Sequence, residues 1–194
     1  MYTLILSLLF TIPGGKYNDV LNIGDKAPAW EAMMGIDGKK HTLDEWKDKP
    51  YLVVVFTCNS CPCSRDYEDR IKAFTEKYKD KAAVVAINAN LIKEDSLDAM
   101  KKRADERGYN FTYLQDATQK VAKAYGATYT PEFFLLNSDR KVIYMGALDD
   151  KDDPDKVTIR FLEEALAAAQ AGKTAAKTET LARGCMIRYK KRGK

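Results

Sequence analysis

The chain has 194 residues, 45% of them apolar and 31% charged, and a net charge of +4. Those proportions belong to an ordinary globular protein with room for one domain plus extensions, and they exclude a disordered chain or a bundle of membrane spans. Nucleic acid is not expected as a partner, because the small basic excess gathers at the C-terminus with no recognised binding module beside it.

The chain opens on an apolar run, Leu4, Ile5, Leu6, Leu8, Leu9, Phe10 and Ile12, too short to cross a bilayer as a helix. A secretory signal would explain this run before Pro13, Gly14 and Gly15, although a positive leading segment and a small-x-small cleavage site are missing. The other reading is that residues 1–21 pack on the domain. Weighed together, the features lean toward an exported, periplasmic protein.

Trp30 to Met34 and the Gly38 turn suggest an added strand pair, followed by a short turn or helix at Asp44, Glu45 and Trp46. Tyr51 to Phe56 is an uninterrupted apolar, β-branched run, which predicts a strand buried on both faces. From Pro62 the period changes: Tyr67, Ile71, Phe74 and Tyr78 recur at helical spacing and predict an amphipathic helix. Ala83 to Ile87 is a second buried strand. Leu97, Met100 and Ala104 mark a helix capped by Ser96 or Asp95 and stopped at Gly108.

A strand at Phe111 to Leu114 and a short helix through Val121, Ala124 and Tyr125 follow. Phe133 to Leu136 and Val142 to Met145, separated by five polar residues, predict an antiparallel hairpin. After a loop from Asp149 to Pro154, the apolar stripe Phe161, Leu162, Ala165, Leu166 and Ala169 predicts the last helix. The order implies an α/β fold, a central mixed sheet flanked by helices, with an N-terminal β extension and an αβ insertion before Thr130–Pro131. The domain proper is placed at residues 22–170. Residues 171–194, with Arg183, Arg188, Lys190, Lys191, Arg192 and Lys194, read as a solvated, frayed tail.

Of the four cysteines, Cys58, Cys61 and Cys63 fall within six positions and Cys185 lies in the tail. Such clustering in a chain able to form its own core points to redox chemistry or metal. The segment Cys58, Asn59, Ser60, Cys61, Pro62 sits where a buried strand turns into a helix. There the free amides and the helix dipole favour a thiolate, so Cys58 is expected as the nucleophile with a lowered pKa. Cys61, three positions on in the first helical turn, is the expected resolving thiol.

Cys63 is expected to be buried and inert, and Cys185 to be a distal resolving cysteine. Zinc would need further ligands; Cys63 and Cys185 are candidates, and the only histidine, His41, lies in a polar turn. Thr130 and Pro131 form the second local signature. Although cis bonds make up only about 5% of X–Pro peptides, one here would hold the loop beside the cysteines and present the Thr130 backbone to an incoming thiol-bearing chain.

Gly24-Asp25-Lys26-Ala27-Pro28, Phe56 to Pro62, Tyr67-Glu68-Asp69-Arg70, Gln115-Asp116 and Thr130-Pro131-Glu132 resemble the redoxin branch of the thioredoxin superfamily. Within it the chain is similar to bacterial peroxiredoxin-like proteins with C-N-x-C-P and a late Gly-Cys, as at Gly184 and Cys185. The resemblance implies a thioredoxin-like fold and active site and a cis Pro131. Ser60 departs from it, since histidine commonly stands between the cysteines.

Three functions are compatible with these residues. The first is thiol–disulfide exchange by Cys58 and Cys61, with protein or small-molecule thiols and disulfides as partners and a thioredoxin-type or membrane reductase as electron donor. The second is a thiol peroxidase with Cys58 peroxidatic, Cys61 or Cys185 resolving, and Thr57 or Arg65 polarising the peroxide. The third is a copper- or zinc-binding module that would recruit His41. No organic cofactor is expected.

Overall fold

The structure, a computed structural model, describes residues 14–190. The apolar run from Leu4 to Ile12 and the basic residues Lys191, Arg192 and Lys194 lie outside them. Nine strands are formed among the described residues: β1 Met33–Gly35, β2 Lys40–His41, β3 Tyr51–Phe56, β4 Ala82–Asn88, β5 Thr112–Gln115, β6 Tyr129–Thr130, β7 Glu132–Leu136, β8 Val142–Gly146 and β9 Cys185–Met186. The helices are α1 Pro62–Tyr78, α2 Leu97–Arg107, α3 Lys120–Ala124 and α4 Phe161–Gln170.

Seven strands form one sheet in the order β2-β1-β5-β4-β3-β7-β8. β3 pairs in parallel with β4, and β4 with β5, while β7 runs antiparallel to β3 and β8. The sheet is therefore mixed. β1 and β2 add the front extension on the β5 edge. β3 is central, and its side chains alternate: Leu52, Val54 and Phe56 join the core with Trp30, Leu43, Ala122 and Tyr125, and Val53 and Val55 face Tyr67, Ile71, Leu162 and Leu166. Burial on both faces explains why the strand carries no polar alternation.

Helix ends follow local chemistry. Ser96 caps α2 by accepting from the Ala99 amide at 3.4 Å. Gly108 closes the same helix at φ 59°, a left-handed conformation that glycine adopts without penalty.

The tail is not frayed over the residues described. The Met145 amide donates to the Thr178 carbonyl and the Thr180 amide to the Met145 carbonyl, both at 3.0 Å. β9 then pairs antiparallel with β6, and Ile187 and Ala182 are buried. Further on, the Arg188 and Lys190 amides donate to Asn90 Oδ1 and Gln119 Oε1, each at 2.8 Å. Satisfied amides and buried apolar side chains hold this segment down despite its positive charge.

Candidate active site

β3 delivers the chain to the site at Phe56, and a loop carries it to Pro62, the first residue of α1. Proline suits that position because its φ is preset and the missing N–H would have had no helical partner. The ring also keeps the preceding residue out of the helical region. Cys61 is accordingly the N-cap, with extended backbone (φ −85°, ψ 121°), and does not lie inside the first turn as the sequence reading expects. In the first turn the Arg65 amide donates to the Cys61 carbonyl at 3.2 Å.

Both thiols are almost closed off, Cys58 at 3% and Cys61 at 2% exposure. Cys58 Sγ lies 3.7 Å from Ser60 Oγ and 3.5 Å from Thr130 Oγ1. Cys61 Sγ lies 3.3 Å from the Thr130 carbonyl, to which the thiol donates when protonated.

The two thiols interact, and the interaction raises the pKa of Cys58 and lowers that of Cys61. Burial and the Asp95 carboxylate add to the rise at Cys58, whereas the Cys185 thiol and the Ser64 amide add to the fall at Cys61. The direction at Cys58 is opposite to the lowering expected from its place at the helix start, with burial and the Asp95 carboxylate working against a thiolate there.

Asp95 is the residue that sequence reasoning missed, having been read only as a possible cap. It is fully buried. Its Oδ1 accepts from the amides of Asn59 at 2.7 Å and Ser60 at 3.2 Å and from Asn88 Nδ2 at 3.1 Å, while Oδ2 accepts from the Ser60 hydroxyl at 2.6 Å. The loop between the cysteines is thus tied to a charge at its centre.

The Thr130–Pro131 peptide is cis, as expected. Glu132, also given no role in the sequence reading, is buried just behind it and accepts from the Thr128 and Tyr129 amides at 2.7 and 2.9 Å. The Thr130 backbone is not open to an incoming chain, because Cys185 of β9 is its register partner. At Gly184 a Cβ would stand 2.0 Å from the Thr130 carbonyl oxygen, so a residue without a side chain is required for this approach.

The remaining expected residues divide. Cys63 is half-buried, not enclosed, since it occupies the second position of α1 at the surface end of the helix. Its Sγ and those of Cys61 and Cys185 all lie within 4.8 Å of one another. Thr57 is buried with its amide on the Ile87 carbonyl. Arg65 is exposed, and its side chain has no hydrogen-bond partner among the described residues. His41 is engaged by Asp37 at 3.0 Å and Glu45 at 2.7 Å and does not join the three-cysteine group, which removes the histidine that a copper carrier was expected to use.

Residues 22–160 match the Redoxin family. The chain belongs to that family. This redoxin is 28% identical over 138 residues to thiol-disulfide oxidoreductase ResA of Bacillus thuringiensis, covering 69% of this chain and 76% of the relative. A protein of Sinorhizobium meliloti 1021 described as hypothetical superposes with a TM-score of 0.82 at 35% identity, covering 89% of this redoxin and 97% of that chain. A conserved protein from Geobacillus kaustophilus gives 0.84 at 33% identity, with 91% and 96% covered. The mixed sheet and its flanking helices are thioredoxin-like.

Proposed function

We propose that this redoxin is a thiol–disulfide oxidoreductase whose working couple is Cys58 and Cys61. The observation that carries the reading is the convergence of two thiols on one residue at the start of α1: Cys58 Sγ lies 3.5 Å from Thr130 Oγ1 and Cys61 Sγ 3.3 Å from the Thr130 carbonyl, so that one can open a disulfide while its neighbour resolves the mixed intermediate. The ResA relatives point to the same chemistry. Protein or small-molecule disulfides are the proposed substrates, and a thioredoxin-type or membrane reductase the electron donor.

The peroxidase reading gains less support. Neither Thr57 nor Arg65, the groups expected to polarise peroxide, is among the side chains hydrogen-bonded to Cys58, which are Ser60 and Thr130.

Reduction of insulin or glutathione disulfide, coupled to a dithiol donor, tests the proposal. Wild type should be active, and Cys58→Ser and Cys61→Ser should each lose activity. A Cys58→Ser protein of undiminished activity, or peroxide consumption by wild type far faster than by free thiol with no disulfide reduction, would reject it.

A further inference from the structure

Cys185 is not at a loose chain end. β9 lays it antiparallel against Thr130, with the Ile187 amide closing onto the Thr128 carbonyl at 2.8 Å. The Thr130 hydroxyl, which lies against Cys58 Sγ, also donates to the Cys185 carbonyl at 3.3 Å. The chain's own terminal strand thus fills the edge next to the dithiol and brings a thiol with it. That thiol meets Cys61, and Cys63 on the first turn of α1 completes the group within 4.8 Å.

Building on the exchange function proposed above, we propose that Cys185 is an intramolecular exchange partner of Cys61, and that oxidation passes from the Cys58–Cys61 disulfide to a terminal Cys63–Cys185 disulfide. The starting Cys58–Cys61 disulfide is made by a substrate disulfide, which is reduced to two thiols. The Cys185 thiolate then attacks Cys61 Sγ. The Cys61–Cys185 bond forms, the Cys58–Cys61 bond breaks, and Cys58 leaves as the thiolate and takes up the proton that Cys185 released. Next the Cys63 thiolate attacks Cys185 Sγ, forming Cys63–Cys185 and breaking Cys61–Cys185, and Cys61 leaves as the thiolate and takes up the proton that Cys63 released. One disulfide and two thiols are present before and after. The result is a reduced Cys58–Cys61 pair able to open a second substrate while the first oxidising equivalent is stored at the tail.

The geometry suits this order. Attack on a disulfide requires a thiol beside the sulfur attacked, and Cys61 is the member of the pair that faces Cys185. Bond formation needs the sulfurs to close to about 2.05 Å from a spacing within 4.8 Å, at two half-exposed residues.

Disulfide mapping of the full-length protein tests the proposal. Wild type is oxidised with glutathione disulfide, acid-quenched, alkylated and digested with trypsin, which leaves Cys58, Cys61 and Cys63 on peptide 48–65 and Cys185 on peptide 184–188. The expected product is these two peptides joined, with Cys63 and Cys185 both lost to alkylation. Cys63→Ser should trap the Cys61–Cys185 intermediate, and Cys185→Ser should leave only Cys58–Cys61. A redox titration of wild type should require two couples, and Cys185→Ser one. Wild type that reduces insulin but, once oxidised, shows only Cys58–Cys61 with Cys63 and Cys185 fully alkylated would overturn the relay and leave the exchange function standing. The same holds for wild type that retains one zinc per chain and forms no tail linkage after the metal is removed. Joined peptides without insulin reduction would support the relay and reject the exchange function.

Discussion

The Asp95 carboxylate takes both the amide and the hydroxyl of Ser60, at 3.2 and 2.6 Å, although the two residues are 35 positions apart. A hydroxyl has one proton, so the proton that Ser60 gives to Asp95 is denied to Cys58, 3.7 Å away on its other side. Asp95 disfavours a Cys58 thiolate twice, by its charge and by taking that donor.

Asp95→Asn should therefore make Cys58 more acidic. The new amide donates to Ser60 Oγ, and the freed hydroxyl proton turns to Cys58. Iodoacetamide modification located by tandem mass spectrometry should show Cys58 reacting at lower pH than in wild type. The loop also loses charge-assisted hydrogen bonds, so denaturant unfolding should show a loss of about 1–3 kcal/mol. Unchanged Cys58 reactivity would show that the carboxylate is not what holds it protonated.

Cys58→Ala removes the principal cause of the low Cys61 pKa, the thiol that donates to it. Its effect on Cys61 should be upward, toward the ordinary thiol range. The same pH-resolved alkylation, scored at Cys61, should shift to higher pH, and a Cys61 as reactive at acid pH as before would show that the helix amides suffice alone.

Gly184→Ala places a methyl carbon against the Thr130 carbonyl oxygen, and neither backbone can yield without breaking the β6–β9 pair. The tail should lift. Overpacking of this kind costs about 1–3 kcal/mol. The sharper readout is Cys185, which should become rapidly alkylatable in the native protein while Cys63 changes less.

Glu132→Gln tests a buried carboxylate. Burial raises the Glu132 pKa above its ordinary 4.5, against the two amides that stabilise the charge. Because the folded protein binds this proton more readily than the unfolded chain, Glu132 adds stability below about 4.5, and that contribution is lost as pH rises through the higher folded value. Glutamine keeps one oxygen for both amides and carries no charge. Its stability relative to wild type should increase from acid to neutral pH across that window, measured by denaturant titration at each pH. A difference that shrinks as pH rises would contradict the sign.

The legible parts of the fold were those with an uninterrupted physical signal. Leu52 to Phe56 could only be a strand covered on both sides, and the 137–141 connection was too short for anything but a hairpin. The candidate site was legible because its two cysteines straddle a change of period from strand to helix. The position of the cap was also written there, in Pro62, whose restriction on Cys61 moves the helix start by one residue.

The tail was not legible. It is held by backbone amides on Asn90 and Gln119 and by a strand of two residues, which leave no periodicity to read. Asp95 was hidden for a related reason. A carboxylate just before an apolar helix looks like an ordinary cap, and nothing local shows that its partners are the amides of Asn59 and Ser60.

With β9 seated on Thr130, any polypeptide that approaches as an extended strand meets a competitor tethered to the same molecule. A short tether corresponds to a local concentration on the order of millimolar, so a protein substrate must outbid it or wait for it to detach. Small disulfides need no strand edge. On the proposed exchange function, the seated β9 strand would act as a size filter, slowing large disulfide substrates more than compact ones.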